Sequence, residues 1–127
     1  MGYRSQVVLV IGKELQPHFM VALGACTAAT SLVFNDADRF DRDYYQDGSG
    51  HWLIHWDGLK WYDSYEEIKT LQNFVEAAND DCLELPDDES WTSAEHIKFV
   101  RIGEESDDIE HRGYGFDDVF AFSTINF

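Results

Sequence analysis

Basic side chains are scarce in this 127-residue chain, which holds nine Lys and Arg against 25 Asp and Glu, a net charge of −16 at pH 7. Nucleic acids and anionic membranes both bind through clustered Lys and Arg, so this shortage argues against direct binding of either. Hydrophobic residues make up 44% of the chain and aromatic residues 15%, which is enough for a packed core. We therefore expect a single folded domain over residues 1–127, since domains typically run roughly 100–150 residues.

Cysteines and long apolar runs are also scarce. Cys26 and Cys82 are too few for a disulfide framework, which favours a reducing compartment. No apolar run approaches the roughly 20 residues needed to span a bilayer, and the first residues lack the pattern of a signal peptide. The sequence thus predicts a soluble cytoplasmic protein that makes no contact with a membrane.

The negative charge is concentrated in one third of the chain. Residues 1–75 have a net charge of −4, whereas residues 76–118 hold 15 acids and three bases, a net charge of −12. Acidic loops are predicted at about 35–50, 80–95 and 103–118. Such loops either confer solubility as solvated charge or form a binding surface, and both interpretations stay open. The candidate partner-binding residues are Asp80, Asp81, Asp87, Asp88, Glu89, Glu104, Glu105, Asp107, Asp108 and Glu110.

The first part of the chain predicts a strand followed by a helix. Residues 6–11 are β-branched and almost wholly apolar, which is typical of a buried central strand. Apolar residues then recur at helical spacing from Leu15, so we expect a helix with one buried face that ends near residues 27–30. A short strand is expected at 31–34.

The Asp57-Gly58 pair between two aromatic-rich runs predicts a β-hairpin. The runs are residues 51–56 and 59–62. Asp-Gly favours a type I′ turn because both turn residues need a positive φ. The side chains expected on the core face of this hairpin are Trp52, Ile54, Trp56, Leu59 and Trp61.

A second helix and two further strands complete the predicted fold. Ser64 and Glu67 have the spacing of a capping box at a helix start. The expected buried stripe of this helix is Ile68, Leu71, Phe74, Val75 and Ala78. Strands at 97–102 and 119–127 follow. The order β-α-β-β-α-β-β predicts an α+β fold with two helices on one face of a mostly antiparallel sheet, a ferredoxin-like variant.

Four blocks of the sequence carry a resemblance to known proteins, and they lie at Met1–Ser5, Lys60–Glu67, Phe99–Glu104 and Asp107–Glu110. Together these blocks resemble a family of small acidic proteins of bacteriophages and prophages. The resemblance spans nearly the whole chain and implies a viral origin and expression in the cytoplasm of an infected bacterial host. It supplies no catalytic residues, because such proteins are mostly uncharacterised.

No motif in the sequence indicates catalysis or a cofactor. The chain has no Gly-x-Ser-x-Gly, P-loop or Gly-x-Gly-x-x-Gly motif. Cys26 lies on the apolar stripe of the first helix and fits the core better than a nucleophile. The group Asp107, Asp108, Glu110 and His111 has the residue types to hold a divalent cation loosely, but a solvated turn explains it better. We expect no enzyme activity, no cofactor and no metal.

We therefore expect an inhibitor of the anti-CRISPR or anti-restriction type. Duplex DNA carries one negative charge per roughly 1.7 Å of its axis, and clustered carboxylates on a folded domain can mimic it. The partner would be a basic host or defence complex that handles nucleic acid. The alternative is an accessory or structural phage protein that binds a partner or a second copy through aromatic anchors such as Tyr44, Tyr45 and Trp91, with the charge serving only solubility.

Overall fold

A five-stranded antiparallel sheet with three helices makes up the structure, a computed structural model that describes residues 4–43, 48, 50–62, 64–83, 85, 93–105 and 108–113. The strands are β1 (Ser5–Ile11), β2 (Arg39–Asp41), β3 (Trp52–Leu59), β4 (Ile97–Ile102) and β5 (Ile109–Arg112). The helices are α1 (Gln16–Gly24), α2 (Thr27–Phe34) and α3 (Glu66–Asn79). Short 3₁₀ turns cover Lys13–Leu15 and Ser93–His96. The predicted α+β class is confirmed, with three helices in place of the expected two.

Strand β1 is the centre of the sheet. The strand order is β2-β3-β1-β4-β5, and every neighbouring pair is antiparallel. β3 therefore lies between β1 and β2, and β1 lies between β3 and β4. The central position predicted for the strand at 6–11 is confirmed, whereas the ferredoxin-like variant stays a prediction.

The main core lies between one face of the sheet and the three helices. Val7, Leu9 and Ile11 of β1 pack there against buried residues of all three helices, including Phe19. The predicted stripe of α3 is confirmed, because all five of its members are buried. The indole N–H of Trp56 donates to the carbonyl of Leu32 across 3.0 Å, which ties β3 to α2.

The face of the sheet away from the helices is buried as well. Val8 and Val10 point opposite to the core residues of β1, and both are almost fully buried. Leu53 on β3 and Val100 on β4 lie beside them in the register and are equally buried. A strand buried on both faces needs apolar residues at successive positions, which explains the unbroken apolar run of β1.

The expected strand at 31–34 is wrong, because these residues complete helix α2. The single helix predicted from Leu15 is instead broken near Cys26, whose φ of −145° and ψ of 106° are extended. The hydroxyl of Thr30 donates to the carbonyl of Leu23 across 2.7 Å and so satisfies an end of α1. The apolar residues 31–34 were compatible with either structure, since short apolar runs do not distinguish helix from strand.

The predicted hairpin at Asp57-Gly58 is also wrong. Strand β3 runs through both residues and pairs with β1, and neither residue has a positive φ. The register passes from Ser5↔Leu59 to Val7↔Trp56, so β3 holds one extra residue there, as in a β-bulge. The Asp57 N–H donates to Asp38 across 2.7 Å, which holds the bulge in place. Two members of the predicted core face, Ile54 and Trp56, are buried in the core, and the other three pack against it.

Helix α3 begins later than the capping box predicted. Tyr65 is its N-cap residue, and no side chain caps the first turn, so the expected pairing of Ser64 with Glu67 is wrong. Two segments expected to be loops contain short edge strands, β2 within 35–50 and β5 within 103–118. Their shortness and charge suit the open edges of a sheet, where longer apolar strands would pair with other chains. The strand predicted at 119–127 lies outside the described residues.

Candidate partner-binding surface

Carboxylates of the acidic third gather along strand β5. The Asn79 side chain at the end of α3 accepts the Gly113 N–H across 2.9 Å, which brings the end of α3 to the end of β5. The turn between β4 and β5 lies at the other end of the strand, roughly 13 Å away at the usual rise of a strand. We call the described acids along this line the acidic edge: Glu76, Asp80, Asp81, Glu104, Glu105, Asp108 and Glu110.

Arg101 organises the middle of the acidic edge. Its guanidinium makes two contacts with the carboxylate of Asp108, at 2.8 and 3.2 Å, and one with Glu110, its cross-strand neighbour, at 2.5 Å. A further contact reaches the hydroxyl of Ser5 across 3.0 Å. Burial alone would lower the pKa of Arg101, but the hydrogen bonds to Asp108 and Glu110 raise that pKa above its ordinary value. The guanidinium therefore stays charged and holds the turn between β4 and β5 against β1.

Arg112 joins the acidic edge to helix α3. Its Nε lies 2.6 Å from the carboxylate of Glu76, and its Nη2 lies 3.6 Å from that of Glu110. Gly113 follows with a φ of +86°, and a Cβ there would lie 2.1 Å from the carbonyl oxygen of Ile97. The two adjacent residues thus fix β5 both to α3 and to the start of β4.

Asp81 has a structural role in addition to its charge. It has a φ of +60°, a left-handed conformation that Asp and Asn tolerate better than most residues. Its carboxylate accepts the N–H of Ala94 across 3.0 Å at the start of the second 3₁₀ turn. The hydroxyl of Ser93 donates to the carbonyl of Ala78 across 2.7 Å beside it. These two hydrogen bonds therefore connect the end of α3 and the residues after it to the 3₁₀ turn before β4.

The structure brings six of the ten predicted contact residues onto the acidic edge. Four of the six are exposed, and Asp108 and Glu110 are half-buried beside Arg101: Asp80, Asp81, Glu104, Glu105, Asp108 and Glu110. The other four lie outside the described residues: Asp87, Asp88, Glu89 and Asp107. The aromatic residues of the alternative, Tyr44, Tyr45 and Trp91, also lie outside them.

Sequence reasoning missed the three residues that shape this surface. The sequence singled out none of Arg101, Arg112 and Glu76, which entered only the net charge of residues 76–118. Once the antiparallel pairing of β4 with β5 is known, its register places Arg101 opposite Glu110. The pairing was the missing information, because β5 was expected to be part of a loop.

Two histidines lie in one cross-strand row on the second face of the sheet. The row runs His55, Val8, Val100, His111 across β3, β1, β4 and β5. Burial lowers the pKa of His55, although Asp57 and Asp38 oppose the effect. Burial also lowers the pKa of His111, and the charges of Lys98 and Arg112 lower it further. Both pKa values are therefore below the ordinary value of 6.5, which favours the neutral imidazoles at pH 7.

The described ranges contain no group of three or more His, Cys, Asp or Glu side chains placed to hold a metal ion. The cation site considered at Asp108, Glu110 and His111 has its fourth member, Asp107, outside these ranges. Cys26 is buried in the core, as predicted, and Cys82 is exposed. The arrangement along β5 thus offers charge and hydrogen-bond acceptors to a partner.

Comparison with other proteins does not assign this chain to a family. No family model, curated protein or solved structure matches the sequence. In the part of the chain that the structure describes, no helix has the length and apolar character to cross a membrane.

Proposed function

We propose that this protein binds and inhibits a nucleic-acid-handling protein of a bacterial host or its defence systems by presenting the acidic edge in place of DNA. The proposal covers complexes of the CRISPR-effector and restriction-enzyme type, whose channels for nucleic acid are basic. The phage origin implied by the sequence resemblance is part of the same proposal.

The observation that supports it is the unequal exposure of the two kinds of charge. The acidic third has three bases: Lys98 is 8% exposed, the Arg101 side chain 12% and the Arg112 side chain 34%. Asp80, Asp81, Glu104 and Glu105 are all exposed. Within the acidic third, a partner that approaches this side therefore meets four exposed carboxylates and three bases that are less exposed, although the exposed Arg4 lies beside Glu104. Such a field speeds the approach of a basic protein and favours it over neutral ones.

A binding experiment with reversed charges tests the proposal. The full chain is immobilised, exposed to a bacterial lysate and washed with or without a duplex DNA competitor. We expect nucleic-acid-binding proteins to be retained, to be displaced by the duplex and to bind at least about tenfold less tightly when salt rises from about 50 to about 200 mM. Asp80→Lys combined with Glu105→Lys, one change near each end of the acidic edge, should abolish retention.

The matched control is Asp36→Lys combined with Glu66→Lys. It changes the net charge equally at two exposed positions outside the acidic edge. Equal loss of retention in both double variants would show that only net charge matters, and unchanged retention in the first would refute the proposal. Asp81, Asp108 and Glu110 are left intact because their hydrogen bonds hold the fold.

A further inference from the structure

The second face of the sheet, which points away from the helices, is shielded from water. We define it by the side chains at its centre, none of them more than 8% exposed: Val8, Val10, Leu53, His55, Lys98 and Val100. An antiparallel sheet with helices on one face commonly leaves its other face open to water. The burial of this face within a single chain therefore requires a cover, and it requires no second copy of the chain.

The described helices do not supply this cover. Their buried side chains all belong to the main core, together with Val7, Leu9 and Ile11 of β1. The 3₁₀ turn before β4 is on the same side as the helices, because Ser93 donates to the carbonyl of Ala78 in α3. The cover of the second face must therefore come from residues outside the described ranges.

Lys98 sets a second requirement for the cover. It is 8% exposed, and a lysine is almost never buried so deeply unless it is paired. It does take part in an interaction beyond its effect on His111. Its neighbours on this face within the sheet, Val10 and Val100, are apolar. The cover is therefore expected to be apolar over most of its area and to bring a carboxylate to Lys98.

We infer that residues 114–127 cover the second face as a further layer of the core and pair a carboxylate of Asp117 or Asp118 with Lys98. The composition of this segment meets both requirements. It has four phenylalanines, one valine and one isoleucine, and its only charged side chains are those of the two aspartates. It is thus the apolar part of an otherwise acidic third of the chain and the residues that follow it.

The segment also begins at a suitable place. Arg112 pairs with Phe99, so Gly113 lies beside Lys98 in the register. Asp117 follows four residues later, a reach of at most roughly 14 Å. The whole segment would span roughly 46–50 Å if extended, whereas three strand spacings, from β5 to β3, measure roughly 14–15 Å. It is therefore long enough to cross the buried centre of the second face.

The other segments outside the described ranges fit less well. Residues 86–92 hold three acids, and both ends of this segment are on the helix side, because Leu85 packs against the main core and Ser93 bonds to α3. Each of the remaining segments has at most four residues, too few to cover three strands. The inference is independent of the proposed function, which depends on the acidic edge.

A spin label on the full chain tests the inference. The nitroxide is attached at Ser123→Cys in a Cys82→Ser background, which otherwise leaves only the buried Cys26. The label broadens the NMR signals of nearby methyl groups. We expect strong broadening of the methyl signals of Val8, Val10, Leu53 and Val100. The signals of the main core should be largely retained, among them those of Leu23, Leu32 and Leu71.

The matched control is the same label at Asn73→Cys, an exposed position of α3. It should reverse the pattern, with the main core broadened more than the second face. Equal broadening of both sets by the label at Ser123→Cys would overturn the inference. The same is true if a label at Ser90→Cys, and not the one at Ser123→Cys, broadens the second face.

Removal of the two aspartates tests the ion pair with Lys98. Asp117→Asn combined with Asp118→Asn should lower the urea midpoint of the original chain. It should leave that of a Lys98→Met chain nearly unchanged, because no buried ammonium then loses its partner. The control, Asp36→Asn with Glu66→Gln, removes the same charge at exposed positions outside the second face and should have little effect. Equal effects of the aspartate changes in both backgrounds would refute the pairing and with it the inference.

Discussion

The acidic edge and the helices α1 and α2 differ in what stabilises them. Around the acidic edge, Arg101 and Arg112 hold carboxylates of several elements, and Gly113 lets two backbones come close. Around α1 and α2 the structure depends on apolar packing and on hydrogen bonds such as that between Trp56 and Leu32. The carboxylates of the acidic edge are therefore held in a defined arrangement, and variants in the two regions should differ in stability.

The largest expected effect is that of Gly113→Ala. The new Cβ would lie 2.1 Å from the carbonyl oxygen of Ile97, in a residue with a positive φ of +86°. We expect a loss of at least about 3 kcal/mol in the free energy of unfolding, from the steric conflict and the left-handed backbone together. Urea denaturation of the variant and the original chain measures this loss in the free energy of unfolding.

The same substitution in the other region, Gly24→Ala, should have the opposite sign. Nothing lies within 4 Å of the added Cβ, and the residue is in α1. We expect a gain of up to about 1 kcal/mol, because alanine favours the helix more than glycine does. Equal losses at both positions would contradict the contrast between the two regions.

A smaller effect is expected for Arg101→Met. The substitution keeps the aliphatic part of the side chain but removes the guanidinium that contacts Asp108 and Glu110, and Glu110 retains only its longer contact with Arg112. We expect a loss of about 2 kcal/mol, less than for a fully buried pair, because both carboxylates are partly open to water.

Arg39→Met provides the control for this prediction. Arg39 pairs with Asp41 at a surface where both side chains are more than a third exposed, so its loss should cost within about 0.5 kcal/mol. Urea titrations of the two variants give the comparison directly. Equal losses in the free energy of unfolding for Arg101→Met and Arg39→Met would mean that Arg101 contributes no more than an ordinary surface ion pair.

The smallest expected effect is the pH dependence caused by His55 and His111. Their pKa values in the folded protein are lowered, so below pH ~6.5 the unfolded chain binds protons that the folded chain does not. Stability should therefore fall as the pH falls from ~6.5 toward the lowered pKa values, by less than about 1.4 kcal/mol per pH unit for the buried His55 and by less still for His111, which is exposed and screened by solvent.

Replacement of both histidines by glutamine isolates this effect from the titration of the many carboxylates. The free energy of unfolding of the original chain, relative to that of the double variant, should fall from pH ~7 to pH ~5.5 in denaturant titrations. NMR titration of the two imidazoles provides the direct measurement. A midpoint above 6.5 for either ring would contradict the lowered pKa values.

The sequence predicted those elements whose side-chain pattern is determined locally. The apolar run at 6–11 and the stripe of α3 needed only spacing to be recognised, and both are confirmed. The α+β class followed from them. The sequence alone was insufficient where one pattern fits both a helix and a strand. Residues 31–34 are such a case, and only their packing shows that they belong to α2.

Long-range pairing explains the remaining errors. Asp57-Gly58 has the local chemistry of a turn, yet β3 continues through both residues with a bulge. Its pairing with β1 buries Leu53 and Ile54. Six carboxylates of the acidic edge were singled out from the charge of the sequence, but their arrangement was not. That arrangement depends on the pairing of β4 with β5, which places Arg101 opposite Glu110. The exposure of Met20 and Val21 also went unnoticed, since burial is needed to show which side of α1 meets water.

The central position of β1 has a consequence for how the protein is made. Its two neighbours, β3 and β4, come much later in the chain, and Gln6 pairs with Ile102. During synthesis at least one edge of the apolar β1 therefore has unpaired backbone groups until β4 has left the ribosome. Contacts between such distant residues form slowly, and open apolar strands aggregate meanwhile. Expression at low temperature or at a reduced rate should therefore raise the yield of folded protein.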